Sequence, residues 1–322
     1  MKHLEDIGFY TLSDKRVKQQ SEHSPLYRCE MILTDRCNFR CPYCRPLRPE
    51  CQGDMPFYRA SSILQQWINS GLKNVRFSGG EPLMYDGLET LVRQARIGGV
   101  ERIAISSNGS FPLHHYENLI NAGANDFSVS LDACCASTGE KMCGGVKCAW
   151  QRVVSNIREI SKKTYTTVGI VLTNDNISQA ADIVKFADEL GVADIRVISA
   201  AQFNKPIETL AGIGDDMLGR HPILKYRVEN FRTGKPIRGV GEHDSNKCRL
   251  VLDDMAVVGQ WHFPCIIYLR EGGNPIGKVG LNMRAERAAW SNCHDSHQDP
   301  ICKNNCLDVC ICFNNKAGGQ CV

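Results

Sequence analysis

The chain predicts an α/β fold built on a parallel sheet, followed by a small cysteine-rich unit, and three observations carry that reading. Short apolar runs alternate with amphipathic stretches six times between residues 28 and 198, at the spacing of roughly thirty residues that βα units need. A loop carrying three cysteines follows the first apolar run. Eight of the 17 cysteines fall at or after Cys248, where the alternation has stopped.

Each element has its own signal. Residues 28–33 (RCEMIL) form a compact apolar run suited to a buried strand. A helix over 61–70 sets Ile63, Leu64, Trp67 and Ile68 on one face, and 74–77 (NVRF) is the second strand. Helix 88–95, strand 102–106, helix 115–122 and strand 126–131 follow, then helix 150–161, strand 166–172, helix 177–190 and strand 194–198. Parallel strands joined by right-handed crossovers satisfy this order. Six units can close into a partial barrel or open into a doubly wound sheet, and the pattern alone leaves both open. Residues 203–242 lose the rhythm and contain Pro206, Pro222 and Pro236, which reads as a connector with one or two helices.

Composition narrows the class. With 322 residues, 43% of them hydrophobic, the chain can bury one large core plus a small appendage. A net charge of +3 is too small to argue for nucleic acid or an acidic membrane. No apolar run is long enough to span a bilayer. The opening stretch MKHLEDIGFYTLSDKRVKQQ carries acids and no apolar centre, unlike a signal peptide. So many cysteines in a large chain with no export signal point to metal or catalysis in a reducing compartment rather than to disulfides. The cytoplasm is the expected location.

Cys37, Cys41 and Cys44 stand in a C-x3-C-x2-C frame with Tyr43 just before the last. Iron–sulfur cubanes normally take four cysteines. Three thiolates on one short loop therefore leave one iron open, as catalytic zinc sites keep a position open. Zinc is the alternative, but zinc pairs come with a second pair or with histidines nearby. The nearest histidines are His23 before the motif and His114 after it.

This C-x3-C-x-aromatic-C motif, at the end of an apolar strand, resembles the signature of the radical S-adenosylmethionine (SAM) superfamily. The resemblance implies a partial (β/α)6 TIM-type barrel, open on the side that admits substrate, over residues 29–240. Residues 1–28 precede it as an extension. It further implies a [4Fe–4S] cluster on Cys37, Cys41 and Cys44, the candidate catalytic residues, with SAM chelated at the open iron. Reductive cleavage then yields a 5′-deoxyadenosyl radical that abstracts hydrogen from substrate, and an external donor such as flavodoxin or ferredoxin supplies the electron. Ser78-Gly79-Gly80-Glu81-Pro82 after the second strand resembles the GGEP stretch that meets the SAM amino group, which assigns Gly79, Gly80, Glu81 and Pro82. Ser106 and Asn108, then Ser130 and Asp132, sit at later strand ends where ribose and carboxylate contacts are expected. Val171 and Tyr43 are expected beside adenine, and Arg196 as a carboxylate partner. Cys134, Cys135, Cys143 and Cys148 follow the fourth strand. Buried structural thiols are their ordinary reading, with a hydrogen donor to the cavity as the alternative.

Residues 241–322 resemble the SPASM/twitch extension of these enzymes. A hairpin over 250–258 and 262–269 turns at Gly259, with Cys248 and Cys265 on its flanks, and Cys302, Cys306, Cys310 and Cys312 follow. With few apolar residues for a core, this unit is expected to lean on metal. The resemblance implies one auxiliary [4Fe–4S] cluster on Cys248, Cys265, Cys302 and Cys306, with Cys310 as the nearest substitute. The run C-x3-C-x3-C-x-C departs from the SPASM pattern and puts a second auxiliary cluster in doubt. A zinc knuckle using His294, His297 and the cysteines from 302 to 321 is the alternative. The molybdenum-cofactor GTP cyclases are set aside, because their C-x2-C-x13-C arrangement and terminal Gly-Gly are not reproduced. The expected reaction is oxidation or C–H functionalisation in natural-product or peptide maturation. Sugar or nucleoside dehydrogenation or epimerisation is the rival, and a non-enzymatic iron–sulfur or zinc protein the alternative from another class.

Overall fold

The computed structural model describes residues 14–200 and 210–319. The expected connector residues Phe203 and Pro206, and Cys321 of the zinc alternative, lie outside them.

Six parallel strands appear in chain order: β1 (Arg28–Ile32), β2 (Asn74–Ser78), β3 (Arg102–Ser107), β4 (Asp126–Ser130), β5 (Tyr165–Leu172) and β6 (Asp194–Ser199). Each lies beside its predecessor, so none of the six units crosses back over β1 as a doubly wound sheet requires. Strand β1 shows how the sheet sorts its faces. Cys29, Met31 and Leu33 are fully buried in the main apolar core, whereas Arg28 and Glu30 face the central cavity. The apolar run of the sequence is thus an alternating strand with a polar inner face.

The outer face is covered by amphipathic helices: α2 (Phe57–Asn69), α3 (Leu88–Ile97), α4 (Leu113–Ala122), α6 (Ala149–Ser161) and α7 (Ala180–Glu189). Ile63, Leu64 and Trp67 of α2 are buried as their spacing predicts, and Leu91, Val92 and Ala95 of α3 likewise. Helix α1 (Asp14–Gln19) precedes the parallel strands, and its Arg16 pairs with buried Asp253, far along the chain. A short helix α5 (Ala136–Met142), unforeseen from sequence, fills the loop after β4. The connector carries α8 (Asp215–Arg220) and α9 (Pro222–Arg232).

The tail does not stand apart from the sheet. Strand β7 (Asp254–Val258) pairs in parallel with β1 through five residues, Arg28 opposite Asp254 and Ile32 opposite Val258. It turns at Gly259 (φ +58°) into antiparallel β8 (Trp261–Phe263), followed by β9 (Gly277–Lys278). The second hairpin arm is shorter than expected. Pro264 has no N–H to extend the ladder, and the Cys265 sulfur accepts from the Tyr268 amide at 3.4 Å to start α10 (Ile266–Arg270). Helices α11 (Met283–Cys293), α12 (Pro300–Asn305) and α13 (Asp308–Ala317) complete the chain.

Arg287 of α11 ties this region together. Its side chain is fully buried and donates to the carbonyls of Val251 (2.9 Å), Phe263 (3.0 Å), Pro264 (3.2 Å) and Asp254. One guanidinium thereby satisfies four main-chain acceptors around the hairpin that ends at Cys265. Arg287→Met keeps the volume and orphans those carbonyls. Chemical denaturation should show a loss of about 3 kcal/mol or more; a loss below about 1 kcal/mol would remove Arg287 from this role.

Candidate functional site

The three-cysteine loop leaves β1 over a fixed stem. Buried Thr34 donates its hydroxyl to Asp54 at 2.5 Å and accepts from the Arg36 amide at 3.0 Å. Arg36 grips both oxygens of Asp54 (3.0 and 2.7 Å) and the Met84 carbonyl at 2.6 Å. The Gly79–Gly80 segment then closes on this stem. The Gly80 amide donates to Thr34 and the Glu81 amide to Arg36, both at 2.7 Å. A Cβ at Gly79 would lie 2.4 Å from the Thr34 carbonyl oxygen, and one at Gly80 2.2 Å from that of Arg36. Only glycine fits at both positions. These two amides are therefore spent on the loop. What the segment offers the cavity is its glycine surface.

Glu81 and Pro82 turn inward to the protein. Pro82 opens the short helix Pro82–Met84, and fully buried Glu81 accepts from Ser107 (2.9 Å), from the Asn108 amide (2.7 Å) and from the Leu83 amide (3.2 Å). Burial pushes its carboxyl up to about 7. Glu81 is thus a brace between the β2 and β3 ends. Asn108 continues the brace, donating to Asn38 at 2.8 Å and approaching the Cys37 sulfur at 3.7 Å.

On the opposite side, Tyr43 donates its hydroxyl to Asp132 at 2.5 Å, and the other Asp132 oxygen accepts from the Val171 amide at 2.7 Å. Asp132 thereby links the cysteine loop to β4 and β5, and burial raises it to about 6. The Arg40 amide donates to Cys143 at 3.0 Å, docking the segment after α5 on the same loop. Among Cys134, Cys135, Cys143 and Cys148, only Cys143 lines the cavity; Cys135 is drawn down to about 7 by the Ser137 and Thr138 hydroxyls.

The cavity measures about 500 Å³ and is bounded by Cys37, Cys41 and Cys44 on one side and by Cys265 and Cys310 on another. Gly79, Gly80, Ser106, Asn108, Ser130, Asp132, Val171 and Arg196 all reach it, so the assigned strand-end residues converge on one space. A volume of this order suits a ligand of nucleoside size. Deeper in, Arg76 donates to Ser106 at 2.8 Å and Arg196 donates to Ser128. Burial lowers Arg196 to about 10, and the charge of Arg76 adds to the effect. Arg270 of α10 was not foreseen: it donates to the Gly79 carbonyl at 2.7 Å and lines the cavity. Nothing local marks it, since only the fold brings the tail to the glycine segment.

The donor sets suit metal. Burial raises Cys37 and lifts Cys41 to about 12, with nearby carboxylates and thiols adding to both. In the tail, burial and then Cys310 bring Cys248 to about 11, and Cys265 and Cys302 are raised by burial and by neighbouring thiols. Cys306 is raised by its hydrogen bond with Cys310 and by burial. Sulfurs whose negative charges oppose one another in this way are what a cationic centre relieves. All five expected tail cysteines, Cys248, Cys265, Cys302, Cys306 and Cys310, thus gather in one region. His297 points elsewhere, to the Asp244 carbonyl at 3.1 Å, which separates it from the zinc group expected with His294.

Two outcomes test this geometry. Gly80→Ala should force the glycine segment off the cysteine loop, costing about 3 kcal/mol or more in chemical denaturation and reducing iron uptake at that loop; wild-type uptake would contradict the fit. Separately, Glu81 holds its proton to about 7 in the folded chain but only to about 4.3 in the unfolded one. Its contribution to stability therefore falls as pH rises through that window and is level above it. In metal-free protein, subtracting the Glu81→Gln denaturation profile from the wild-type profile should leave that slope, and a flat difference would refute it.

Comparisons with known proteins agree with this geometry. A family model described as the radical SAM superfamily matches residues 31–187. A GTP 3′,8-cyclase of Staphylococcus epidermidis is 37% identical over 130 residues, covering 37% of this chain and 38% of that protein. The enzyme of the same name from Staphylococcus aureus is 36% identical over 120 residues, with 34% and 35% covered. The chain thus spans less than two fifths of the curated relatives it matches. In fold it is similar to Streptococcus suis SuiB bound to its precursor peptide SuiA (TM-score 0.60, 16% identity, 89% of this chain and 69% of that one). It is also similar to anSMEcpe with bound AdoMet and the Cp18Cys peptide (TM-score 0.61, 15% identity, 92% and 96%). The match to the radical SAM superfamily is therefore confined to residues 31–187, and the cofactors which that family implies are a [4Fe–4S] cluster and S-adenosylmethionine.

Proposed function

We propose that this chain is a radical SAM enzyme built on a partial (β/α)6 barrel, which functionalises a peptide substrate at a C–H bond with the help of an auxiliary [4Fe–4S] cluster. The observation that carries the reading is the shared cavity: thiols of the first loop and thiols of the tail line the same space of about 500 Å³. In this reading Cys37, Cys41 and Cys44 hold the cluster that binds SAM. Gly79 and Gly80 give SAM a close approach, and Ser106, Asn108, Ser130, Asp132, Val171 and Arg196 surround the rest of it. Cys248, Cys265, Cys306 and Cys310 supply the auxiliary ligands, and Cys302 lies near them without being one of the four. When bound, these groups supply a one-electron reductant that releases the 5′-deoxyadenosyl radical from SAM, and an acceptor for the electron left on the substrate.

The chain's own residues do the positioning. Asn108 donates toward the Cys37 sulfur, Tyr43 anchors the loop to Asp132, and Arg270 locks the glycine segment against the tail. Support for a peptide comes from the likeness to two structures that carry peptides over most of this chain. A second reading, a small anionic substrate, is favoured by Arg76 and Arg196 at the cavity floor and by the partial relation to GTP 3′,8-cyclase. An external flavodoxin- or ferredoxin-type donor and a cytoplasmic setting go with either reading. Among the described residues, no helix is long and apolar enough to cross a membrane.

The deciding experiment is anaerobic reconstitution with counting of iron and sulfide, then dithionite and SAM, with 5′-deoxyadenosine read by mass spectrometry. Wild type should hold about eight irons, at four per cubane, and form 5′-deoxyadenosine. The Cys37/Cys41/Cys44→Ala triple variant should keep about four irons and form none. SAM cleavage that survives the triple substitution would sink the proposal.

A further inference from the structure

The five thiols that gather in the tail are one more than an auxiliary cubane needs. Cys306 is hydrogen-bonded to Cys310, and Cys248 and Cys265 both lie close enough to Cys310 to raise their proton affinity. Those four satisfy a cubane. Cys302 also neighbours Cys248 and Cys265, and its sulfur makes a further contact of its own, with the His294 Nε2 at 3.4 Å.

Around that pair lies a built donor set. The ligand atoms of His294, Asp299 and Cys302 all lie within 4.8 Å of one another, and among the described residues this is the one group of three or more such side chains that does. Zinc bonds of about 2.3 Å to sulfur and about 2.0 Å to nitrogen, at a tetrahedral angle, set the two donors roughly 3.5 Å apart. The observed 3.4 Å is the edge of such a tetrahedron. One thiolate, one imidazole and one carboxylate suit zinc better than the oxygen-seeking cations.

The supporting groups hold each donor in place. Trp290 stacks on the His294 ring (3.9 Å between centroids, 16° between planes), and the His294 amide donates to the Trp290 carbonyl at 2.9 Å. Asp299 accepts from the Ile301 and Cys302 amides at 2.9 Å and, on its other oxygen, from the Tyr268 hydroxyl at 2.9 Å. Such outer partners are what orient metal ligands.

We propose that His294, Asp299 and Cys302 bind a single zinc ion, separate from the cluster ligands, with water in the fourth position. None of the three lines the central cavity, so the ion stands apart from that space. It clamps the end of α11 to the start of α12, and through α12 it fixes the segment that delivers Cys306 and Cys310. The assignment of those two to a cluster rests on the function proposed above; the zinc site does not.

The test is metal analysis of anaerobically purified protein grown with zinc and iron, together with zinc-edge X-ray absorption. Wild type should carry about one zinc, with one sulfur and the remaining ligands nitrogen or oxygen. His294→Ala should lose that zinc and keep its iron, and His294→Cys should retain zinc with a second sulfur. Cys148→Ala, at an exposed cysteine, should leave zinc unchanged. Zinc that persists in His294→Ala, a four-sulfur zinc spectrum, or loss of about four irons from Cys302→Ala, the content of one cubane, would each overturn the proposal. Failure of the auxiliary cluster has its own signature, unchanged iron in Cys310→Ala, and leaves the zinc readout intact.

Discussion

Two main-chain hydrogen bonds, from the Gly80 and Glu81 amides to the Thr34 and Arg36 carbonyls, govern the site. They join the ends of two adjacent parallel strands beyond the reach of the sheet's own ladder. Because the contact is backbone on backbone, no side chain can yield to admit a Cβ. The pair of glycines is thus a steric requirement of how closely the cysteine loop must be held. The braces around it follow from that approach: Glu81 to Ser107 and Asn108, Arg36 to Asp54, and Arg270 from the tail onto Gly79.

Buried polar groups do most of this work, and each is satisfied by a partner fixed elsewhere in the fold. Glu81 lies in surroundings that favour its neutral form, yet three donors converge on it. Arg287 is a charged group at the centre of the tail, held by carbonyls instead of a carboxylate. Arrangements of this kind cost desolvation and return definition. Their common effect is to hold the loops that carry thiols, while the apolar contacts of the helices hold the sheet.

The parts legible in the sequence are those whose signal is local. The six strand–helix units show themselves by periodicity, and the first three cysteines by spacing. Gly79 and Gly80 show themselves by position after a strand, although their close fit against the cysteine loop does not. What stayed hidden depends on contacts between distant segments. Arg270 reaches Gly79 across 191 positions, and nothing around it in sequence marks that contact. Helix α5 was missed because ASTGEKM is short and has little periodicity. The sequence also does not show the contacts that set Cys302 beside His294 and Cys306 beside Cys310, which only the packing of the tail brings about.

The parallel pairing of β7 with β1 has a consequence for how this protein is made. Residues 28–32 emerge early from the ribosome, and their partners at 254–258 more than two hundred residues later. Until then β1 presents one bare edge of unpaired amides and carbonyls, the feature on which sheets recruit stray strands. Contacts so far apart in the chain are also slow to form. The nascent parallel sheet is therefore a species that passes through an aggregation-prone interval, closed only when the later cysteine-bearing segment arrives and docks. That segment thus completes one edge of the sheet and, in doing so, brings its thiols to the cavity that the first cysteine loop lines.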